Sequence, residues 1–319
     1  MNSDGPKSVI GVDLGGTTIK AGVVSAGGSI LYQNKFPTLA DRGPAVVVQQ
    51  IATAIRDAIK QAGRTGTEGI GIGAPGVVDD EGVVKAPPNF ADWDVVPLKL
   101  EISKLFRGTL IGVENDANAA AIAESKFGAG VDHPNFLFVI WGTGVGGGII
   151  LDRKIFRGPT GGAGEIGHIS IDYKGPQCNC GNVGCVEAFV GQRYLSQRSA
   201  QKLQNHPESR ILQLVGGDFS KIEPVYISQA AHEGDSVARE MLIEAGELLG
   251  VGLASVMNIM DLRVSIIGGG ISAAGDFVMQ AVQESVIRHV LKPLRNEIRV
   301  LPAKLGNNAG LLGAAGLVM

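Results

Sequence analysis

Cys178, Cys180 and Cys185 are the only three cysteines of the chain; they fall within eight positions, with His168 ten residues before the first. Three thiolates and one imidazole make a Cys3His set, a closed tetrahedral arrangement that suits a structural Zn2+. Gly181 and Gly184 let the intervening loop turn tightly enough for its sulfurs to converge. Three ordinary buried thiols are the bland alternative, and the clustering argues against it. A disulfide framework fits worse, because the count is odd and a chain of 319 residues needs none. Two carboxylates flank the set, Glu165 three residues before His168 and Glu187 two after Cys185. A metal that pins His168 and Cys185 also fixes where those carboxylates point. Fixed carboxylates in a glycine-rich setting are good acceptors for a polyhydroxylated ligand, although each taken alone reads equally well as a solvated surface group.

Phosphate chemistry is suggested at two other places. Residues 8–13 read as a buried strand, Gly15-Gly16-Thr17-Thr18 as a turn, and 19–25 as a second strand that a Gly27-Gly28 turn leads into a third. Strand–turn–strand excludes both a phosphate loop of the GxxxxGK[ST] type and a dinucleotide fingerprint, since each of those opens a helix. A Gly-Gly-Thr-Thr turn still offers backbone N–H groups and hydroxyls to phosphate oxygens. Asp13, ending the first strand, would face the same place and hold Mg2+ directly or through water. Alone, the motif is equally a plain hairpin turn. Residues 135–158 repeat the plan, with Thr143-Gly144 in the turn. Two copies in one chain predict two related lobes, each aiming a hairpin at a shared cleft.

Residues 109–128 read as a strand, then Glu114-Asn115-Asp116, then an alanine-rich helix, so a third carboxylate, Asp116, falls with Asn115 where strand passes into helix. It reads either as a helix cap or as a carboxylate at the C-terminal end of a strand, where α/β folds place ligands. Around these residues the pattern predicts a helix over 44–63, from Val48, Ile51, Ile55 and Ile59 at spacings of three and four. A short strand and a Gly-Ala-Pro-Gly loop occupy 68–79, and Asn89 sits on a proline-stiffened loop. Helical periodicity covers 187–204 and about 227–260. A last buried strand over 262–270 ends in Gly268, Gly269 and Gly270, which would lie flat against a base or ribose or else form a helix entry loop. Helices follow at roughly 275–291 and 307–319. His133, His206, His232 and His289 have no metal-like neighbours.

Composition bounds the rest. With 45% hydrophobic and 18% charged residues the chain is globular, with two domains or one large one. A net charge of -3 gives no basic surplus, so nucleic acid is not an expected partner. No apolar signal core opens the sequence and no run reads as membrane-spanning. Reduced, metal-holding cysteines fit the cytoplasm. The 47 glycines cluster, which we read as close backbone approach to ligands.

Taken together, the double Gly/Thr hairpin plan resembles the sugar kinase/actin-like ATPase superfamily. The segment H-x9-C-x-C-G-x2-G-C-x-E from His168 to Glu187 resembles the signature of the ROK family of bacterial sugar kinases and repressors, and DLGGTTIK, GAPGVVD, ENDANAAA, GTGVGGG and AGEIGH match its motifs in order. The resemblance covers nearly the whole chain, and no matched position departs from the kinase pattern. It implies a two-lobed α/β fold of the actin-like ATPase (ribonuclease H-like) type, with duplicated lobes and a cleft between them. The smaller lobe would be 1–114 with 305–319 returning to it, the larger 115–304 with the zinc segment 168–185. It implies Asp116 as catalytic base and Asn89, Asn115, Glu165, His168 and Glu187 as sugar contacts. Asp13, Gly15, Gly16, Thr17, Thr18, Thr143 and Gly144 would form the phosphate loops, Gly268 to Gly270 the adenosine side, and His168, Cys178, Cys180 and Cys185 the zinc ligands. The implied activity is ATP- and Mg2+-dependent phosphorylation of a hexose, glucose first. N-acetylmannosamine, N-acetylglucosamine, fructose and allose are the alternatives in the same class, and a non-catalytic sugar sensor or repressor is the alternative outside it. Family repressors carry an N-terminal helix-turn-helix for which a first strand at about residue 8 leaves no room. Homodimers or homotetramers are expected by the same analogy, with the helical 187–260 region as the dimer surface, and the donor, ATP or polyphosphate, stays open.

Overall fold

The computed structural model describes residues 8–319. The chain runs β1 (Ser8–Leu14), β2 (Thr18–Ser25), β3 (Ile30–Pro37), α1 (Pro44–Gln61), β4 (Gly69–Ala74), a ribbon of β5 (Val77–Val78), β6 (Val84–Lys85) and β7 (Val95–Val96), α2 (Leu98–Leu105), β8 (Leu110–Asn115) and α3 (Asp116–Phe127). It continues with β9 (Phe136–Trp141), β10 (Val145–Leu151), β11 (Lys154–Phe156), α4 (Val186–Val190), α5 (Gln192–Leu203), α6 (Arg210–Leu214), α7 (Pro224–His232), α8 (Ser236–Met260), β12 (Val264–Gly268), α9 (Asp276–His289), β13 (Arg299–Pro302) and α10 (Ala309–Gly316). Two sheets carry the same plan, β3-β2-β1-β4-β8 and β11-β10-β9-β12-β13. In the first, β1 pairs antiparallel with β2 and parallel with β4. In the second, β12 runs parallel to both β9 and β13. The duplication expected from the two Gly/Thr hairpins is therefore present in the sheets.

The chain forms two compact units. One comprises the residues through Pro134 together with Gly148–Gly164 and Lys304–Met319; the other comprises Asn135–Gly147 and Glu165–Ala303. Residues 115–134, which the sequence reading put with the larger lobe, group with the first unit because α3 packs on α10 and β4.

In the first unit the central strands have two unlike faces, as a period of two requires. Ile10, Val12, Ile70 and Ile72 point into a core with Val47, Ile51 and Ile55 of α1. Gly11 and Gly71 point the other way, where a Cβ would overlap the carbonyls of Leu311 and Ala314 in α10. A Cβ on Gly313 would likewise overlap the Ala119 carbonyl of α3. These glycines let a helix of small residues reach backbone contact with the sheet. At these three positions a helix, not a ligand, makes the close approach that clustered glycine was expected to mark. Glu124 of α3, fully buried, accepts from the backbone N–H groups of Lys304 and Leu305, both at 2.9 Å, and of Ala129 at 2.7 Å.

In the second unit the core is a helical pair, α8 on α9. Gly246 and Gly250 let the axes close on Val278, Val282 and Ser285. At 25 residues α8 is long and apolar enough to cross a membrane by length and composition, yet 56% of its most apolar window is buried inside the protein. Asp235 caps it, accepting from the N–H groups of Val237 and Ala238.

Candidate functional site: carboxylates, phosphate hairpins and a metal centre

The first unit holds one group of the expected residues. Asp13 ends β1 directly opposite Lys20 in β2, and Lys20 Nζ lies 3.1 Å from Asp13 Oδ2. A Cβ on Gly310 would stand 2.8 Å from the Asp13 carboxyl carbon, so this carboxylate rests against the first turn of α10. The turn between β1 and β2 is braced by buried Thr38, which donates through Oγ1 to Gly15 O at 2.7 Å and through its N–H to Thr17 O at 3.0 Å. Gly16 and Thr17 are exposed at its tip, while Gly15 and Thr18 are half-buried at its base. Lys20 did not figure among the expected residues; its signal was available, because a tight hairpin fixes the register that pairs it with Asp13.

The strand-to-helix junction after β8 corrects one reading. The residue that caps α3 is Asn115, not Asp116: its Oδ1 accepts from Ala117 N–H at 2.9 Å and Asn118 N–H at 3.1 Å. Its Nδ2 donates to Gly76 O at 3.0 Å, leaving one N–H of the carboxamide for a ligand. Asp116 is the first helical residue, exposed, with Oδ1 accepting its neighbour's N–H at 2.8 Å. Ahead of them stands Glu114, 1% exposed. It accepts from Arg157 Nε at 2.6 Å, from Asn115 N–H at 3.0 Å and from Asn118 Nδ2 at 3.0 Å. Neither Glu114 nor Arg157 was anticipated, and nothing local to either residue announces the pair. Asn89 is exposed in a left-handed conformation, φ 66°, beside the buried Phe90 and Trp93, and its carboxamide has no partner among the described residues.

The second unit holds the other group. The ligand atoms of His168, Cys178, Cys180 and Cys185 all lie within 4.8 Å of one another. Cys180 Sγ and Cys185 Sγ are 3.7 Å apart, and Cys178 Sγ and His168 Nδ1 are 3.8 Å apart. A tetrahedral Zn2+ with bonds of about 2.3 Å to sulfur requires edges of roughly 3.7 Å, so these two edges match that ion. Gly181 and Gly184 do adopt positive φ, at 92° and 72°. Burial, then the neighbouring Cys180 and Cys178 sulfurs, pushes the Cys185 thiol up to about 12. Three thiols packed this closely ionise together only with a cation among them, which is a second argument that the set is made for a metal. Nδ1 of His168 faces the sulfurs, and its other ring nitrogen points away from them.

Cys185 is also the residue before α4, and Glu187 is the second residue of that helix. Glu187 Oε2 accepts from the Val145 N–H at 2.9 Å, and a Cβ on Gly144 would overlap that same oxygen. Thr143 is exposed in the turn alongside. Glu165 is exposed just before a 3-10 turn, Ile166–His168, which packs so tightly on β10 that a Cβ on Gly167 would overlap Val145 O. At the end of β12, Gly269 has φ 99° and lies against Trp141 O, whereas the space about Gly270 is open. Each unit thus presents an exposed Gly/Thr hairpin with a carboxylate beside it.

A model of the ROK family matches residues 9–319. The chain belongs to the ROK family. It is 40% identical over 317 residues to a glucokinase of Streptomyces coelicolor, covering 97% of this chain and 96% of the relative. The crystal structure of a ROK family glucokinase from Streptomyces griseus, in complex with glucose and AMPPNP, superposes with a TM-score of 0.83 at 40% identity, covering 97% of this chain and 98% of that one. The architecture is the actin-like ATPase fold of those kinases. A xylose repressor of Caldicellulosiruptor bescii is 31% identical over 98% of this chain and 78% of its own length.

Proposed function

We propose that this protein transfers the γ-phosphoryl group of ATP to the 6-hydroxyl of a hexose, with glucose as the preferred acceptor. The observation that carries the reading is the β8–α3 junction. Asn115 does the capping, and Asp116, the first residue of α3, is an exposed carboxylate just past the C-terminal end of β8. A sugar hydroxyl is a poor nucleophile at neutral pH; Asp116 accepts its proton as the oxygen–phosphorus bond forms, a contribution of about 10²–10⁴-fold. Phosphoryl transfer otherwise needs positioning and charge neutralisation. Glu165, Glu187, Asn89, Asn115 and the outward ring nitrogen of His168 hold the remaining hydroxyls. The turns at 15–18 and 143–144 take the phosphates and the Gly268–Gly270 run the adenosine. Asp13, now paired with Lys20, would hold Mg2+ directly or through water, and the ion would supply charge neutralisation to the β- and γ-phosphates. The Cys3His set holds one structural Zn2+, and its part in the reaction is to fix the His168 tautomer. We assign a cytoplasmic location from the reduced, metal-holding cysteines and a homodimeric or homotetrameric state on family analogy alone.

Coupled ADP release with Mg-ATP against glucose, mannose, fructose, N-acetylglucosamine and N-acetylmannosamine tests the reading. Preference for glucose supports it. Preference for an acetamido sugar keeps the base and the metal and moves the error to the 2-position. No release with any sugar, together with specific DNA retention in a gel shift, replaces the kinase by the sensor reading that the xylose repressor alignment suggests.

A further inference from the structure

A cavity of about 470 Å³ in the first unit belongs to none of the sets above. Its volume is in the range of small-molecule sites. It opens between the C-terminal end of α1, the loop that follows, and the segment joining α2 to β8. Thr67 and Thr109 in its wall precede β4 and β8, so it sits at the N-terminal ends of these parallel strands. Asp116 follows the opposite end of β8, and six residues at about 3.3 Å each separate the two by about 20 Å. The cavity is remote from the catalytic carboxylate.

Its charge is one-signed. Arg56, Lys60, Arg64 and Arg107 line it and no carboxylate among the described residues does, in a chain with 31 acidic residues against 28 basic ones. Arg56, Lys60 and Arg107 form no ion pair among the described residues. The carboxylates nearest in sequence are occupied elsewhere or face away. Asp57 accepts from Tyr32 and Asn34, Glu101 pairs with Lys104, and Glu68 does not line the cavity. The Arg56 guanidinium lies over the Phe106 ring, 5.3 Å from its centroid, which holds the charge against the wall. Unopposed like charges converging in one concavity repel, and a bound anion relieves that repulsion. The three unpaired ones enter from two separate chain segments, α1 and the stretch before β8, which suits an anion with more than one charged group. The hydroxyls of Thr65 and Thr109 add donors that suit phosphate oxygens, whereas that of Thr67 is spent on Gly69 O at 3.0 Å.

We propose that this cavity binds a compact anion bearing two or more phosphate groups, an inorganic polyphosphate or a sugar bisphosphate, at a site distinct from the one that takes ATP. Tripolyphosphate and fructose 1,6-bisphosphate are the probes, titrated calorimetrically into the full chain and into a variant with Arg56→Gln, Lys60→Gln and Arg107→Gln. The expected result is a saturable site for at least one probe. It weakens with added salt and weakens about tenfold or more in the variant, while turnover without probe is unchanged. Which probe binds tells the inorganic source from the organic one. Should the variant fail to fold, protection of Lys60 from amine acetylation by the probe on the unaltered protein gives the same answer. The proposal is overturned if neither probe binds, or if the variant retains all binding and Lys60 is unprotected. It is also overturned if only nucleic acid or another macromolecular polyanion binds there. None of these outcomes depends on the sugar the enzyme accepts.

Discussion

Replacing Arg157 by Met strips the cation from a carboxylate that water cannot reach. Glu114 is 1% exposed, and its Oε2 is held by Arg157 Nε at 2.6 Å. Breaking a buried pair from one side costs about 3–5 kcal/mol, because the partner stays behind as an uncompensated charge. Here the arginine is 37% exposed. Water therefore enters the space it leaves, and Glu114 keeps the donors on Asn115 and Asn118. Those two corrections bring the expected cost to about 2–3 kcal/mol. Glu114→Gln removes the anion instead and leaves Arg157 partly hydrated, so it costs less. The two together cost less than their sum, with a coupling of about 1.5 kcal/mol or more. Urea unfolding reads the stability. Hydrogen exchange at the Asn115 amide, which donates to Glu114, reports the junction itself without assuming that two compact units unfold as one. Turnover falls with it, because Asp116 is anchored by the same turn. An Arg157→Met protein within about 0.5 kcal/mol of the parent, with additive double-mutant energies and unchanged exchange at Asn115, would refute the reasoning.

Other outcomes follow from the same geometry. Asp116→Asn lowers turnover by about 10²–10⁴-fold while calorimetry still finds sugar binding; near-normal turnover removes the base from the mechanism. Metal analysis finds about one zinc per chain, and chelation or Cys178→Ser raises the KM for sugar and for ATP together; protein that never met a chelator and holds no metal defeats this. Gly71→Ala drives a Cβ into the Ala314 carbonyl and costs about 3 kcal/mol or more, whereas Gly27→Ala, with nothing within 4 Å, is near neutral by thermal denaturation. Burial alone would raise the Asp235 carboxyl, but hydrogen bonds from Ser209 Oγ and from the N–H groups of Ala238, Arg210 and Val237 outweigh it and hold it below the ordinary value. Asp235→Ala therefore costs about 1–2 kcal/mol at neutral pH. That gap closes as pH falls below about 4 and through the depressed folded value, where the parent carboxylate protonates and its stabilisation is lost; a gap that persists in acid refutes the assignment.

What the sequence disclosed was mostly local. The metal set could be read because a chelating loop needs its ligands close in the chain, and the two hairpins because Gly-Thr turns between apolar runs have few other uses. Whether Asp116 caps α3 stays open in the sequence because β8 runs into the helix without a turn. Asn115 and Asp116 are both good capping types, and only the backbone, extended at Asn115, decides between them. Contacts across long stretches left no trace. Glu114 meets Arg157 across 43 positions, and Glu124 meets the amides of Lys304 and Leu305 across 180 or more. Glycines gave a signal whose meaning was ambiguous. The alternation in Gly69-Ile70-Gly71-Ile72-Gly73 does read as a strand, but only the neighbour on its glycine face, α10, shows that a helix rather than a ligand makes the close approach.

That the metal should matter to the nucleotide side as well as to the sugar rests on one five-residue helix. Cys185 supplies a sulfur from the position just before α4, and Glu187, two residues on, accepts the Val145 N–H of the hairpin turn. The far end of α4 is tied to the same hairpin: Trp141 Nε1 donates to Val190 O at 2.8 Å, and Gln192 N–H donates to Gly142 O at 3.0 Å. A helix this short has almost no stability of its own, since nucleation is costly and few turns follow to offset it. It persists because it is fixed at its start through Cys185 and along its length by the hairpin. Without a metal on Cys185 the start would be released, Glu187 would lose its aim, and the Val145 N–H would lose its acceptor. The Cys3His segment and the Gly142–Val145 turn are in this sense one device, and Glu187, the carboxylate we propose as a sugar contact, also holds the turn we propose for phosphate.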